Sequence, residues 1–142
     1  MRRWTTDSEA VTRALGAALA AELAPDGVLL LSGDLGAGKT VLARGVAEFL
    51  GLDPKQVTSP TFVLIQEHEG PAGRLVHADL YRLEPEAVGR LGLEELLAGP
   101  GIKVVEWAER LPAAALRGLA PVVRLDLRRA AAGGREVFEL QS

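Results

Sequence analysis

The chain has 142 residues, 48% of them hydrophobic, a net charge of −3 and no cysteine. That length and apolar content fit one domain with a real core, and the missing cysteines exclude disulfides, thiolate nucleophiles and zinc ribbons. The acidic balance argues against a domain that grips nucleic acid by itself, and the lack of an 18-residue apolar run or a signal peptide predicts a soluble, cytoplasmic protein with no membrane contact.

Thr6-Asp7-Ser8-Glu9 carries the capping-box pattern. Val11, Ala14, Leu15, Ala18, Leu19 and Leu23 follow at three- and four-residue spacing, which predicts an amphipathic helix. Pro25-Asp26-Gly27 breaks that helix, and the apolar run 28–32 reads as a buried strand. The strand leads into Gly33-Asp34-Leu35-Gly36-Ala37-Gly38-Lys39-Thr40, which fits G-x-x-x-x-G-K-[ST], the phosphate-cradling P-loop. Its glycines let successive backbone amides converge on phosphate oxygens, and the helix opening near Lys39 turns its positive dipole end toward them. Lys39 is placed to bridge the terminal phosphates and Thr40 to ligate Mg2+, so residues 34–40 and Val41 after them form the expected nucleotide-binding segment. Leu42, Val46, Phe49 and Leu50 share one stripe of the helix, which ends at Gly51 with Pro54 beyond.

Ser59-Pro60-Thr61 opens a predicted strand over 62–65 that ends in polar Gln66-Glu67-His68-Glu69. Gly70-Pro71-Ala72-Gly73 can turn it back into Leu75-Val76-His77-Ala78 as an antiparallel hairpin, atypical of a purely parallel sheet. Residues 84–98 read as one or two short helices interrupted by Gly89 and Gly92. Residues 102–106 are a strand ending on an acid, and 107–111 a short helical piece closed by Pro112. Val123, Leu125 and Leu127 alternate with charged residues as a strand with one wet face, and a last strand spans 136–140. The expected class is α/β, a P-loop NTPase-like three-layer fold whose mixed sheet joins a parallel core to antiparallel strands.

A nucleoside triphosphate with Mg2+ needs a carboxylate near Thr40, usually where a neighbouring strand ends. Asp79 and Glu106 both end strands. Such acids also cap following helices, but beside a P-loop the favoured roles are Mg2+ partner for Asp79 and water-orienting or basic group for Glu106. Thr61 stands where a switch threonine senses the terminal phosphate, or is an ordinary turn residue. His77 shares the face of Asp79 and supports the site or serves the core; Trp107 stacks on a base or fills core. The C-terminal segment 110–142 holds 6 basic and 3 acidic residues, Arg135 among them, and either docks a partner or a nucleotide or, the favoured reading, is a solvated face. A chain with no asparagine cannot contain the Asn-Lys-x-Asp motif that reads guanine, which favours ATP.

The P-loop 33–40, Ser59-Pro-Thr-Phe62, His77-Ala-Asp-Leu-Tyr-Arg82 and Glu106-Trp107, in that order and within this length, closely resemble the TsaE (YjeE) family. The resemblance runs from about Thr6 to Leu127. Its members are small bacterial ATPases required for making threonylcarbamoyladenosine in tRNA beside the anticodon. The resemblance implies that Lys39 and Thr40 hold phosphate and Mg2+, Thr61 behaves as a switch, Asp79 is a metal-side carboxylate, Glu106 is needed for hydrolysis, and Trp107 lies near the nucleotide. It also implies weak ATPase activity that works with TsaD and TsaB, so that tRNA is met through those partners. His68 departs from the pattern, standing where the family often has tyrosine. The competing readings are a small-molecule kinase, for which 142 residues leave little room for a lid, and a nucleotide-switched binding module without useful hydrolysis.

Overall fold

The computed structural model describes residues 1–34, 38–58, 65–81, 83–88, 91–119 and 121–140. Of the site residues expected from sequence, Leu35, Gly36, Ala37 and Thr61 lie outside the described residues, as do Ser59, Pro60, Phe62 and Arg82.

Among the described residues seven strands, β1 (Arg3–Thr6), β2 (Val28–Gly33), β3 (Ile65–Gly70), β4 (Gly73–Asp79), β5 (Ile102–Glu106), β6 (Val122–Arg129) and β7 (Arg135–Leu140), form one sheet in the order β1-β7-β6-β2-β5-β4-β3. β6, β2, β5 and β4 run parallel, while β3 pairs antiparallel with β4, β7 with β6, and β1 with β7. A mixed sheet with a parallel centre is the expected class. Its central strand explains why: Val28, Leu29, Leu30 and Leu31 are all buried, the continuous apolar run of a strand covered on both faces.

Helices α1 (Glu9–Leu23) and α2 (Lys39–Phe49) cover one face, packing with Leu29, Leu31, Leu75, Val104 and Leu125. The opposite face, with Val28, Leu30, Ala78 and Val105, is covered by α3 (Pro85–Val88), α4 (Leu93–Ala98) and 3-10 turns at Ala108–Arg110 and Ala113–Leu116. Among the described residues no helix is long and apolar enough to cross a membrane.

Several sequence expectations are corrected here. Thr6 ends a strand instead of capping α1. The cap is Ser8, whose hydroxyl accepts from the Val11 amide at 3.2 Å, worth about 1 kcal/mol to the helix. The buried face of α1 is Thr12, Leu15, Gly16, Leu19, Ala20 and Leu23, so Val11, Ala14 and Ala18 of the predicted stripe point outward. Small residues are selected on that face because α1 and α2 cross closely. A Cβ on Gly16 would sit 2.2 Å from the Leu42 carbonyl oxygen, and one on Gly45 would sit 2.0 Å from that of Arg13. Phe49 is exposed while Leu42, Val46 and Leu50 are buried. The hairpin forms, with Gly70 paired to Gly73; of the strand expected over 62–65 all but Ile65 lies outside the described residues, and β3 runs from Ile65 through the polar residues expected to end it.

Candidate functional site

The C-terminal ends of β2, β5 and β4 lie side by side, and there the sheet meets the N-terminus of α2. Crevices at this edge are where open α/β sheets place their ligands. Gly38 caps α2 in the left-handed region, at φ 101°, a conformation costly for any residue with a Cβ. The next two residues turn inward. Lys39 is buried, its Nζ donating to the Gly33 and Asp34 carbonyls at 2.8 Å each and standing 4.2 Å from the centre of the Trp107 ring. Burial pushes its ammonium below the usual lysine range, against the opposing pull of Glu106, Glu109, Asp79 and Asp34.

Thr40 donates its hydroxyl to Glu106, with Oγ1 3.0 Å from each carboxylate oxygen. Glu106 is 3% exposed, and its Oε2 also accepts from Nε2 of fully buried His77 at 2.5 Å. Parallel pairing sets Asp79 directly beside Glu106, and Asp79 Oδ1 accepts from the Tyr81 amide at 3.0 Å. Trp107 holds a left-handed backbone, φ 58° and ψ 45°, which costs a non-glycine residue roughly 1–2 kcal/mol and aims its ring across Lys39. Tyr81 packs on that ring at 4.9 Å between centroids. Lys39, Thr40, Asp79, Glu106 and Trp107 are thus brought together around a cavity of about 330 Å3, with Gly38 and Val41 on its wall.

A second cavity of about 230 Å3 adjoins it over the start of α2, and the two share Glu9, Gly38, Val41 and Arg135 as lining. Sequence reasoning missed Glu9 and Tyr81 as lining, favoured a solvated face over nucleotide docking for Arg135, and left His77 between two roles. Arg135 enters from β7 and crosses the P-loop end of α2, its Nε 3.3 Å from where a Gly38 Cβ would sit. Glu9 comes from the first turn of α1. Arg128 and Arg129 of the same basic segment are exposed, as a solvated face would be.

The donor set suits a hard divalent cation. The Thr40 hydroxyl and the Asp79 and Glu106 carboxylates line one cavity, and among the described residues no group of three or more His, Cys, Asp or Glu side chains is placed to hold a metal ion by itself. Mg2+ is commonly held by one or two carboxylates, with substrate phosphates and water completing the coordination.

The sequence model of the family described as "Threonylcarbamoyl adenosine biosynthesis protein TsaE" matches residues 6–137. The chain is 44% identical over 114 residues to the tRNA threonylcarbamoyladenosine biosynthesis protein TsaE of Bacillus subtilis strain 168, a match covering 78% of this chain and 71% of that protein. The protein of the same description from Rickettsia bellii is 41% identical over 104 residues, 72% of each chain. In three dimensions the chain is similar to the crystal structure of Bacillus subtilis YdiB, with a TM-score of 0.72 and 34% identity, covering 97% of this chain and 83% of that one.

Proposed function

The chain belongs to the TsaE family, and from that premise and the site geometry we propose that it is a Mg2+-dependent ATP-binding protein and weak ATPase that supports threonylcarbamoylation of the adenosine beside the tRNA anticodon. The observation that carries this reading is the Thr40 hydroxyl on the Glu106 carboxylate. A P-loop threonine and a strand-end acid, 66 positions apart, meet at the helix N-terminus where a phosphate chain would lie.

In this reading Lys39 neutralises the terminal phosphates, with Trp107 and the Gly33 and Asp34 carbonyls holding its ammonium near them. Thr40, Asp79 and Glu106 would hold Mg2+, which when bound supplies charge neutralisation to the phosphate oxygens. Glu106 orients the attacking water, and its burial keeps that hydrogen bond out of competition with bulk solvent. The second cavity, with Arg135 and Glu9 on its wall, takes the nucleoside end of ATP. Thr61 is proposed as the residue that senses the terminal phosphate. The partners are TsaD and TsaB, and the net charge of −3 agrees with tRNA being held by them.

The test is ATP hydrolysis by the purified chain, alone and then with TsaB and TsaD. Slow turnover alone that rises sharply with both partners is the expected result. Turnover indifferent to the partners but stimulated by a small hydroxyl metabolite would replace this reading with a kinase.

A further inference from the structure

We propose that His77 is a positioning residue for Glu106, holding its carboxylate toward Thr40 and away from the lysine of the P-loop. This rests on the ATPase reading of the site and adds to it a residue that lines neither cavity.

The geometry begins with where His77 lies. It sits on the face of β4 that packs against α2, among Leu75 and Val104, where a residue needed merely to fill space would be apolar. It is wholly buried, and its one hydrogen bond among the described residues is from Nε2 to Glu106 Oε2 at 2.5 Å. A buried polar ring is retained at a cost unless its contact does something.

What the contact does follows from the charges around it. Glu106 is a flexible side chain, buried on the wall of the cavity that the Lys39 ammonium shares. Left with Thr40 alone, it would gain most by swinging onto Lys39. An ion pair there would occupy the ammonium needed for phosphate and the carboxylate needed for metal and water. Instead each charge rests on partners of its own, Lys39 on the Gly33 and Asp34 carbonyls and Glu106 on His77 and Thr40. The bond to Oε2 takes up one oxygen of the carboxylate and leaves its remaining lone pairs free to be directed. Outer partners of this kind typically matter by about ten- to a hundred-fold in metal affinity or activity.

The test compares His77→Leu, His77→Gln and His77→Asn. Glutamine can present an N–H close to where imidazole Nε2 stands, whereas asparagine reaches only the Nδ1 position and loses Glu106. ATP turnover with TsaB and TsaD is measured for kcat and KM, and ATP affinity is measured by calorimetry with and without Mg2+. His77→Leu is expected to lower kcat by about ten- to a hundred-fold and to weaken ATP binding in Mg2+ while leaving binding in chelator unchanged. Glutamine should restore most of the loss and asparagine little. In a Glu106→Gln background, His77→Leu should change Mg2+-dependent affinity no further, because its effect runs through that carboxylate. If the leucine variant does not fold, the glutamine and asparagine variants carry the comparison. Equal turnover in those two, or a lowered melting temperature with kcat retained, overturns the proposal. Wild-type chain that hydrolyses no ATP, or a Glu106→Gln variant as active as wild type, would overturn the ATPase reading itself.

Discussion

Two of the three lysines in the chain are buried, one at each end of the parallel strands, and they are held in nearly the same way. Lys39 donates to the carbonyls of Gly33 and Asp34, Lys103 to those of Asp26 and Gly99 at 2.6 Å each, and burial pushes both ammonium groups below the usual lysine range. The difference lies in the remaining direction around each nitrogen. Lys39 stands at the C-terminal edge, where β2, β4 and β5 end on a cavity lined by Asp79, Glu106 and Trp107. Lys103 stands near the N-terminal edge, wrapped by the turn before β2 and the turn before β5, which Asp26 also ties together by accepting from the Gly101 amide. One chemical device therefore serves two ends. Where the surroundings leave an opening it is a binding group, and where they close it is a clamp.

The sharpest way to break that comparison is to remove both lysines and ask which variant fails at what. Lys39→Ala should cost about a hundred-fold or more in ATP turnover, the scale of losing a main group on developing charge, with unfolding free energy changed by less than about 1 kcal/mol. Water from the cavity can replace the ammonium on the Gly33 and Asp34 carbonyls. Lys103→Met should do the reverse. Its buried side chain joins the turn before β2 to the turn before β5, and without it both carbonyls lose that shared donor, so urea unfolding should show a loss of about 2 kcal/mol while nucleotide binding is kept. A Lys39→Ala variant less stable than Lys103→Met would mean that both lysines are structural clamps.

The clamp was not legible in the sequence, although the binding lysine was. The P-loop can be read from residue types alone because phosphate cradling demands glycine, lysine and threonine at fixed spacing. Lys103 inside an apolar strand has no such pattern, and its partners at 26 and 99 are brought to it by chain turns. The same reasoning covers the candidate site. Asp79 and Glu106 were recognisable as strand-end acids, but the contact of His77 with Glu106 depends on the register of β4 against β5. Arg135 and Glu9 come from distant elements and reach the site through the order of the sheet. The four-residue β1 has no periodicity to read and exists because β7 offers it an edge. The buried face of α1 departs from its hydrophobic stripe because size outweighs hydrophobicity where the two helices cross. At the crossing with α2, Gly16 and Ala20 are buried, while Val11 faces solvent.

The smallest effect, and the most specific to Lys103, is its pH dependence. Burial lowers its pKa first, Asp26 opposes, and Arg74 adds to the lowering. The unfolded chain therefore binds a proton more readily than the folded one between that depressed value and the ordinary 10.5. Within this window unfolding free energy must rise with pH, because the folded state no longer carries the cost of a desolvated ammonium. Below the window that cost is present in full, and above 10.5 it is gone. The neutral amine still has two N–H groups for the two carbonyls, so deprotonation removes the charge without undoing the clamp. Urea unfolding of wild type and Lys103→Met from pH 7 to 10 should therefore show a gap between them that widens as pH rises. A gap that narrows would mean that Asp26 outweighs burial and that the charge itself, more than the two hydrogen bonds, holds this end of the sheet together.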